Sequence, residues 1–187
     1  MNIYEEQAKL ELVELNKVDN QFHKPRFDKL LEWIDIIQPA TLIDIGCSWG
    51  YVLEMIPKSI KSIGIDISTT KTIYCRKLGF DIFQLDILTE RIPQKYCEMV
   101  VAMELLEHFD EPLKVAKECA RYGKYIVFST PVYSTDGEAI DGKFHLKHIL
   151  PSEHLELVSQ VGKVREFIVV KSPQEGTAWS MSLAETL

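Results

Sequence analysis

A chain of 187 residues with 46% hydrophobic and 26% charged content is long enough to bury the core of one domain, and no shift in composition divides it in two. Its formal net charge of -7 argues against a generalised nucleic-acid-binding face and for small or neutral substrates. No apolar run approaches the ~18 residues of a membrane span, the N-terminus is acidic early at Glu5 and Glu6, and the cysteines (Cys47, Cys75, Cys97, Cys119) form no C-x-x-C pair, so a cytoplasmic protein with reduced thiols is expected, without a zinc cluster or disulfide framework.

In chain order the first element is helical. Phe27, Leu30, Leu31, Ile34 and Ile37 recur at helical spacing until Pro39 stops them, so residues 1–38 read as an N-terminal helical cap ahead of a strand beginning at Thr41. That strand leads through Leu42-Ile-Asp-Ile-Gly-Cys-Ser-Trp-Gly50, an apolar run ending in an acid and two glycines, the pattern of a buried strand turning into a helix over a ligand. Gly46 and Gly50 supply positive φ and close backbone approach there. A second strand over 62–66 ends at Asp66, Ser68 caps a helix over 69–78 that Gly79 stops, and a third strand-like run goes from Phe80 to Leu85. A fourth strand occupies 98–103, Asp110 with Pro112 opens a helix that Gly123 closes, and a fifth strand follows at 124–129. All five are apolar on both faces, as a parallel sheet covered by helices requires. After a long connection with Asp136-Gly137 and Asp141-Gly142 turn signals, Pro151 opens a last helix. Two strands then run from Arg165 to Val170 and Thr177 to Leu183, an antiparallel pair joined at Ser172-Pro-Gln-Glu-Gly176. The expected fold is α/β: one domain over 1–187 on a Rossmann-like, seven-stranded, mostly parallel sheet with helices on both faces and a C-terminal antiparallel hairpin.

Spacing selects the ligand. Asp66 follows Asp44 by 22 residues, one strand-helix-strand unit, where an acid accepts the two hydroxyls of a ribose. Gly46-x-x-x-Gly50 is not G-x-G-x-x-G and lacks a Gly-Lys-Ser/Thr tail, which disfavours dinucleotides and triphosphates. No basic residue lies between 42 and 57, and Asp86, 20 residues beyond Asp66, is placed to accept from an exocyclic adenine amine. Three acids without a cation suit a ligand with a ribose, an adenine, an ammonium and a sulfonium, which is S-adenosylmethionine.

On these residues the chain resembles the class I S-adenosylmethionine-dependent methyltransferases, from about residue 24 to the C-terminus. Asp44 to Gly50 is similar to that family's glycine-rich first motif, with Ser48 where the family usually carries a second glycine. Asp66 resembles its ribose acid, and Gln84-Leu85-Asp86-Ile87 its adenine-side segment. Met103-Glu-Leu-Leu-Glu-His-Phe109 and Phe128-Ser-Thr-Pro131 are similar to the small-molecule O-methyltransferase branch that includes the ubiquinone-pathway enzymes. The resemblance implies methyl transfer to a small-molecule hydroxyl. It also implies a cofactor site of Asp44, Gly46, Cys47, Ser48, Gly50, Asp66, Ile67, Asp86, Ile87 and Glu104, and an acceptor loop over 132–150; there Tyr133, Phe144 and His145 read equally well as lining the acceptor and as part of an ordinary mobile loop.

The sulfonium is already an activated donor, so the protein chiefly aligns the acceptor and removes its proton. His108, His145 and His148 are candidate bases. His108 is best placed, four residues after Glu104 at the carboxyl end of the fourth strand, although a surface histidine on a short helix reads the same way. Glu104, Glu107 and His108, at i, i+3 and i+4, put two carboxylates and an imidazole on one face. With His145 or His148 they form a candidate Mg²⁺ or Mn²⁺ site, and Glu-x-x-Glu-His resembles the metal-dependent methyltransferases of small-RNA 3′ ends. Glu107 also reads as a solvated helix carboxylate. The expected catalytic set is His108, Glu107 and His145, with no metal assigned. Two further readings stand: a serine hydrolase using Ser48 of Gly46-Cys-Ser-Trp-Gly50, a literal G-x-S-x-G, and a non-catalytic cofactor-binding module.

Overall fold

Leu42, Ile43 and Ile45 are all buried although successive side chains of a strand point to opposite faces, which requires helices on both sides of the sheet. The computed structural model describes residues 3–14, 20–93, 96–133, 144–173 and 176–187. Within them the helices are α1 (Ile3–Glu14), α2 (Asn20–Ile37), α3 (Tyr51–Met55), α4 (Thr69–Lys77), α5 (Pro112–Ala120) and α6 (Pro151–Ser159). The strands are β1 (Thr41–Ile45), β2 (Lys61–Asp66), β3 (Ile82–Gln84), β4 (Cys97–Met103), β5 (Gly123–Tyr133), β6 (Gly162–Lys171) and β7 (Thr177–Thr186). They form one sheet in the order β3-β2-β1-β4-β5-β7-β6, parallel from β3 to β5 and antiparallel thereafter. This is the expected seven-stranded arrangement.

Alternation along each strand splits the core into two layers. Leu42, Met99, Val127 and Met181 face Leu30, Trp33 and Ile34 of α2, Leu53 of α3 and Cys75 of α4. Ile43, Val100 and Ile126 face Val115 and Cys119 of α5 and Leu157 and Val158 of α6. Each such aliphatic side chain contributes roughly 1.5–3 kcal/mol on burial. The strand order reverses between β1 and β4, so the carboxyl ends of β1, β2 and β4 open on a shared crevice, where open α/β sheets bind ligands.

Several boundaries differ from expectation. The third strand is only Ile82–Gln84, because Phe80 N–H still donates to Cys75 O at the exit of α4. The fifth extends to Tyr133, since antiparallel β7 pairs with it from Tyr125 to Tyr133, well past the last β4 pair at Ser129. Pro131 is tolerated there because no β4 residue pairs with it. Helix α5 begins after Glu111 rather than Asp110, with Pro112 in its first turn, and Gly123 opens β5 instead of closing the helix. Ser68 caps α4 as expected, its Oγ accepting from Lys71 N–H at 3.2 Å. Of the expected acceptor loop, residues 134–143, including both Asp-Gly signals, lie outside the described residues, as does the side chain of Tyr133.

Candidate active site

The crevice is built on the turn after β1. Gly46 (φ 76) and Gly50 (φ 82) take left-handed backbone, and a Cβ on Gly46 would lie 2.9 Å from Leu105 Cδ1. The N–H groups of Gly46 and Cys47 both donate to Ile65 O, at 2.8 and 3.0 Å, tying the turn to β2. Ser48 adopts φ 50 without being glycine. Its N–H donates to Asp66 Oδ2 at 2.8 Å, and Ser68 N–H donates to Asp66 Oδ1 at 2.8 Å, so one carboxylate fastens both the turn and the start of α4. Ser48 Oγ bonds no histidine among the described residues, which removes the nucleophile-base contact a serine hydrolase requires.

A cavity of about 480 Å³ opens over this turn, within the range of small-molecule sites. Asp44, Gly46, Cys47, Ser48, Asp66, Ile67, Asp86, Ile87, Glu104, His108 and His145 all line it. Gly50 and Glu107 do not: Gly50 packs under the turn, where an added Cβ would lie 3.0 Å from the Phe80 ring. Asp44 is buried at 2% exposure with Oδ2 making no hydrogen bond among the described residues, and burial, then the charge of Asp66, pushes its carboxyl up to about 8. Asp86 spends Oδ1 on Leu88 N–H at 2.9 Å, capping the next turn. Tyr4 and Gln7 of α1 reach the same cavity, and Glu5 anchors α1 by accepting from Thr70 Oγ1 at 2.8 Å.

The main omission from the sequence reading is Arg26. It lies in α2 and is 9% exposed, with its guanidinium 5.0 Å from the Phe27 ring and 5.2 Å from that of Trp179. Its Nη1 is 3.0 Å from Glu104 Oε2, while its Nε makes no hydrogen bond among the described residues. Glu104 is at φ 51, and its Oε1 accepts from Ser129 Oγ at 2.7 Å. The expectation of three acids without a cation is therefore corrected: a cation comes from outside the motif, and it occupies Glu104. One signal was available. His23, Arg26 and Leu30 share a stripe at helical spacing, and two polar residues continuing an apolar face are out of place unless they face a site.

His108 sits at the end of a single 3-10 turn, Leu106–His108, directly after β4. Its Nδ1 donates to Phe144 O at 2.8 Å, which assigns the neutral ring's lone pair to Nε2. Glu107 O accepts from Leu146 N–H at 2.9 Å and Lys147 N–H at 3.0 Å. These three bonds lay the 144–148 segment against the turn and bring His145 to a ring-centroid distance of 5.0 Å from His108. His148, the other candidate from that segment, does not line the cavity.

Glu107 is not the solvated carboxylate its helix position allows. It is 1% exposed with neither carboxylate oxygen hydrogen-bonded among the described residues, and burial, then the charge of Glu104, holds its carboxyl well above the usual range. Ligand atoms of Glu107, His108 and His145 lie within 4.8 Å of one another, a donor set that suits a divalent cation and gives Glu107 the partner it otherwise lacks. Glu104, turned to Arg26 and Ser129, is not part of that group.

Comparison with known proteins bears on this arrangement. A methyltransferase domain family model matches residues 16–182. A ubiquinone biosynthesis O-methyltransferase of Methylococcus capsulatus is 28% identical over 147 residues, 74% of this chain and 60% of that protein; one of Nitrosomonas europaea is 32% identical over 117 residues, 56% and 49% respectively. The chain thus spans about half the length of the curated relatives it matches. Among solved structures, the N-methyltransferase NodS from Bradyrhizobium japonicum in complex with S-adenosylhomocysteine superposes with a TM-score of 0.79 at 13% identity, covering 99% of each chain. The methyltransferase domain of bacterial CtHen1 gives 0.72 at 16% identity, covering 88% of this chain and 98% of that one. With the family model spanning most of the sequence, and the sheet order and glycine turn agreeing with it, the chain belongs to the methyltransferase domain family, on the class I fold.

Proposed function

We propose that the cavity binds S-adenosylmethionine and that the chain transfers its methyl group to a hydroxyl of a small molecule, in the reducing setting of the cytoplasm that four unpaired thiols suit. The observation that carries this reading is the pair of acids framing the glycine turn, Asp44 unbonded at Oδ2 and Asp66 fastening Ser48 and Ser68. Asp66 accepts the ribose hydroxyls, Asp86 the adenine amine, and Asp44 the ammonium. Arg26, a buried cation that lines the cavity as Lys71 does, takes the carboxylate. Ile67 and Ile87 supply apolar walls for the purine. The cofactor supplies a methyl group activated on a sulfonium. His108 Nε2 receives the acceptor's hydroxyl proton, and His145 with the 144–148 segment forms the wall on which the acceptor rests. Calorimetry with S-adenosylhomocysteine, followed by methyl transfer across a panel of phenols, catechols and aliphatic alcohols, tests the reading. Absence of S-adenosylhomocysteine binding would overturn it.

A second reading of the same chemistry rests on Glu107. A buried carboxylate with no hydrogen bond among the described residues, its ligand atom 4.8 Å or less from those of two imidazoles, fits a divalent cation better than it fits an empty core. A cation held there by Glu107, His108 and His145 would polarise the acceptor oxygen and lower its pKa, leaving His108 as ligand instead of base.

A further inference from the structure

Arg26 stands between two sets of groups that each need it. On one side it holds Glu104, with Nη1 3.0 Å from Oε2, while Ser129 holds the other oxygen at 2.7 Å. On the other it faces the cavity, with Nε making no hydrogen bond among the described residues and the guanidinium braced by Phe27 and Trp179. Glu104 is three and four residues before Glu107 and His108 on the same strand-end turn. The Glu107, His108 and His145 group offers three protein ligands, whereas Mg²⁺ and Mn²⁺ take about six oxygen or nitrogen donors, part of them water.

We propose that cofactor and cation binding are ordered through Arg26: the carboxylate of the methionine moiety competes with Glu104 for the guanidinium, and the released Glu104 completes the cation site with Glu107, His108 and His145. The inference rests on both readings above, the cofactor cavity and the cation group. Without cofactor, the Arg26 pair keeps Glu104 away from the three ligands and the cation site is incomplete. With cofactor, the guanidinium's charge is satisfied by the ligand, and Glu104 beside the buried Glu107 becomes a repulsive pair that a divalent cation relieves. Linkage makes the effect reciprocal: whatever factor the cofactor adds to cation affinity, the cation adds to cofactor affinity.

The test is Mn²⁺ binding to the intact chain, followed by calorimetry and by the electron paramagnetic resonance of free Mn²⁺, alone and with saturating S-adenosylhomocysteine or methylthioadenosine. S-adenosylhomocysteine should tighten Mn²⁺ binding about tenfold or more, the size of a typical coupling. Methylthioadenosine, which fills the nucleoside part but has no carboxylate, should leave Mn²⁺ affinity unchanged. Arg26→Gln should raise Mn²⁺ affinity in the absence of any nucleoside and abolish the coupling, and Glu104→Gln should weaken Mn²⁺ binding and abolish it as well. Equal Mn²⁺ affinity with and without S-adenosylhomocysteine overturns the ordering and leaves the cation site standing, as does coupling that methylthioadenosine reproduces. No Mn²⁺ binding under any condition, with S-adenosylhomocysteine still bound, overturns the cation reading and the ordering together. The wild-type comparison needs no variant, so a misfolded substitution does not blunt it.

Discussion

Asp66 accepts from the backbone N–H of Ser48 through Oδ2 and from that of Ser68 through Oδ1, both at 2.8 Å, so a single carboxylate joins the end of β2 to the glycine turn and to the first turn of α4. The carboxylate proposed to meet the ribose is thus also the clasp that shapes the turn. Asp66→Ala should weaken S-adenosylhomocysteine binding at least tenfold, since charge-assisted bonds of this kind are worth about 1.5–3 kcal/mol each. It should also cost about 1–3 kcal/mol of stability from the N–H groups left without an acceptor. Calorimetry and urea denaturation report the two effects separately; unchanged affinity would remove Asp66 from the cofactor site.

The proposed contact of Asp44 with the cofactor's ammonium predicts a pH dependence of cofactor binding. Burial, followed by the charge of Asp66, places its carboxyl at about 8, so in the free protein it carries a proton at pH 6–7. An ammonium beside it stabilises the carboxylate, and the proton is released on binding. Affinity for S-adenosylhomocysteine should therefore rise from pH 6 to 8 by up to about tenfold per unit and level off above the free-protein value. Calorimetry in buffers of different ionisation enthalpy should detect the released proton at pH 6.5. A flat profile would mean that Asp44 does not meet the ammonium.

The two roles open to His108 separate on chelation. As a base with no cation present, His108→Ala lowers the methylation rate by roughly 10²–10⁴-fold, cofactor affinity is nearly unchanged, and EDTA has no effect. As a ligand, EDTA stops turnover, Mg²⁺ or Mn²⁺ restores it, and Glu107→Ala is as damaging as the histidine change. Full activity of His108→Ala with chelator present would assign neither role to it.

His154 ties acid stability to the core. It is fully buried, with Nδ1 2.9 Å from Thr130 Oγ1 and Nε2 2.9 Å from Ser182 Oγ, and burial lowers its pKa to about 4. The unfolded chain binds a proton near pH 6.5 that the folded chain refuses until about 4, so its contribution is complete above 6.5 and falls as pH drops through that window. The slope is about 1.4 kcal/mol per pH unit. Urea midpoints at pH 7 and pH 5 should differ accordingly, and His154→Gln should reduce the difference. A variant that keeps the full slope would show that other groups set it.

Much of the architecture was legible because it is local or periodic. Doubly apolar strands announce a covered parallel sheet, Gly46 and Gly50 announce a turn with left-handed backbone, and the interval from Asp44 to Asp66 is the length of one strand-helix-strand unit. Strand ends were less legible, since the length of β5 is set by its pairing with β7, a partner some fifty residues away. What the sequence by itself determined was the fold and the acids that line the cavity over the glycine turn. Only the tertiary structure decided that Glu107 is buried with neither carboxylate oxygen hydrogen-bonded among the described residues, that Arg26 pairs with Glu104, and that His145 and not His148 joins His108. Burial and charge pairing depend on what packs against a residue from distant parts of the chain, and no spacing within the Glu104 to His108 turn encodes the arrival of α2 or of the 144–148 segment.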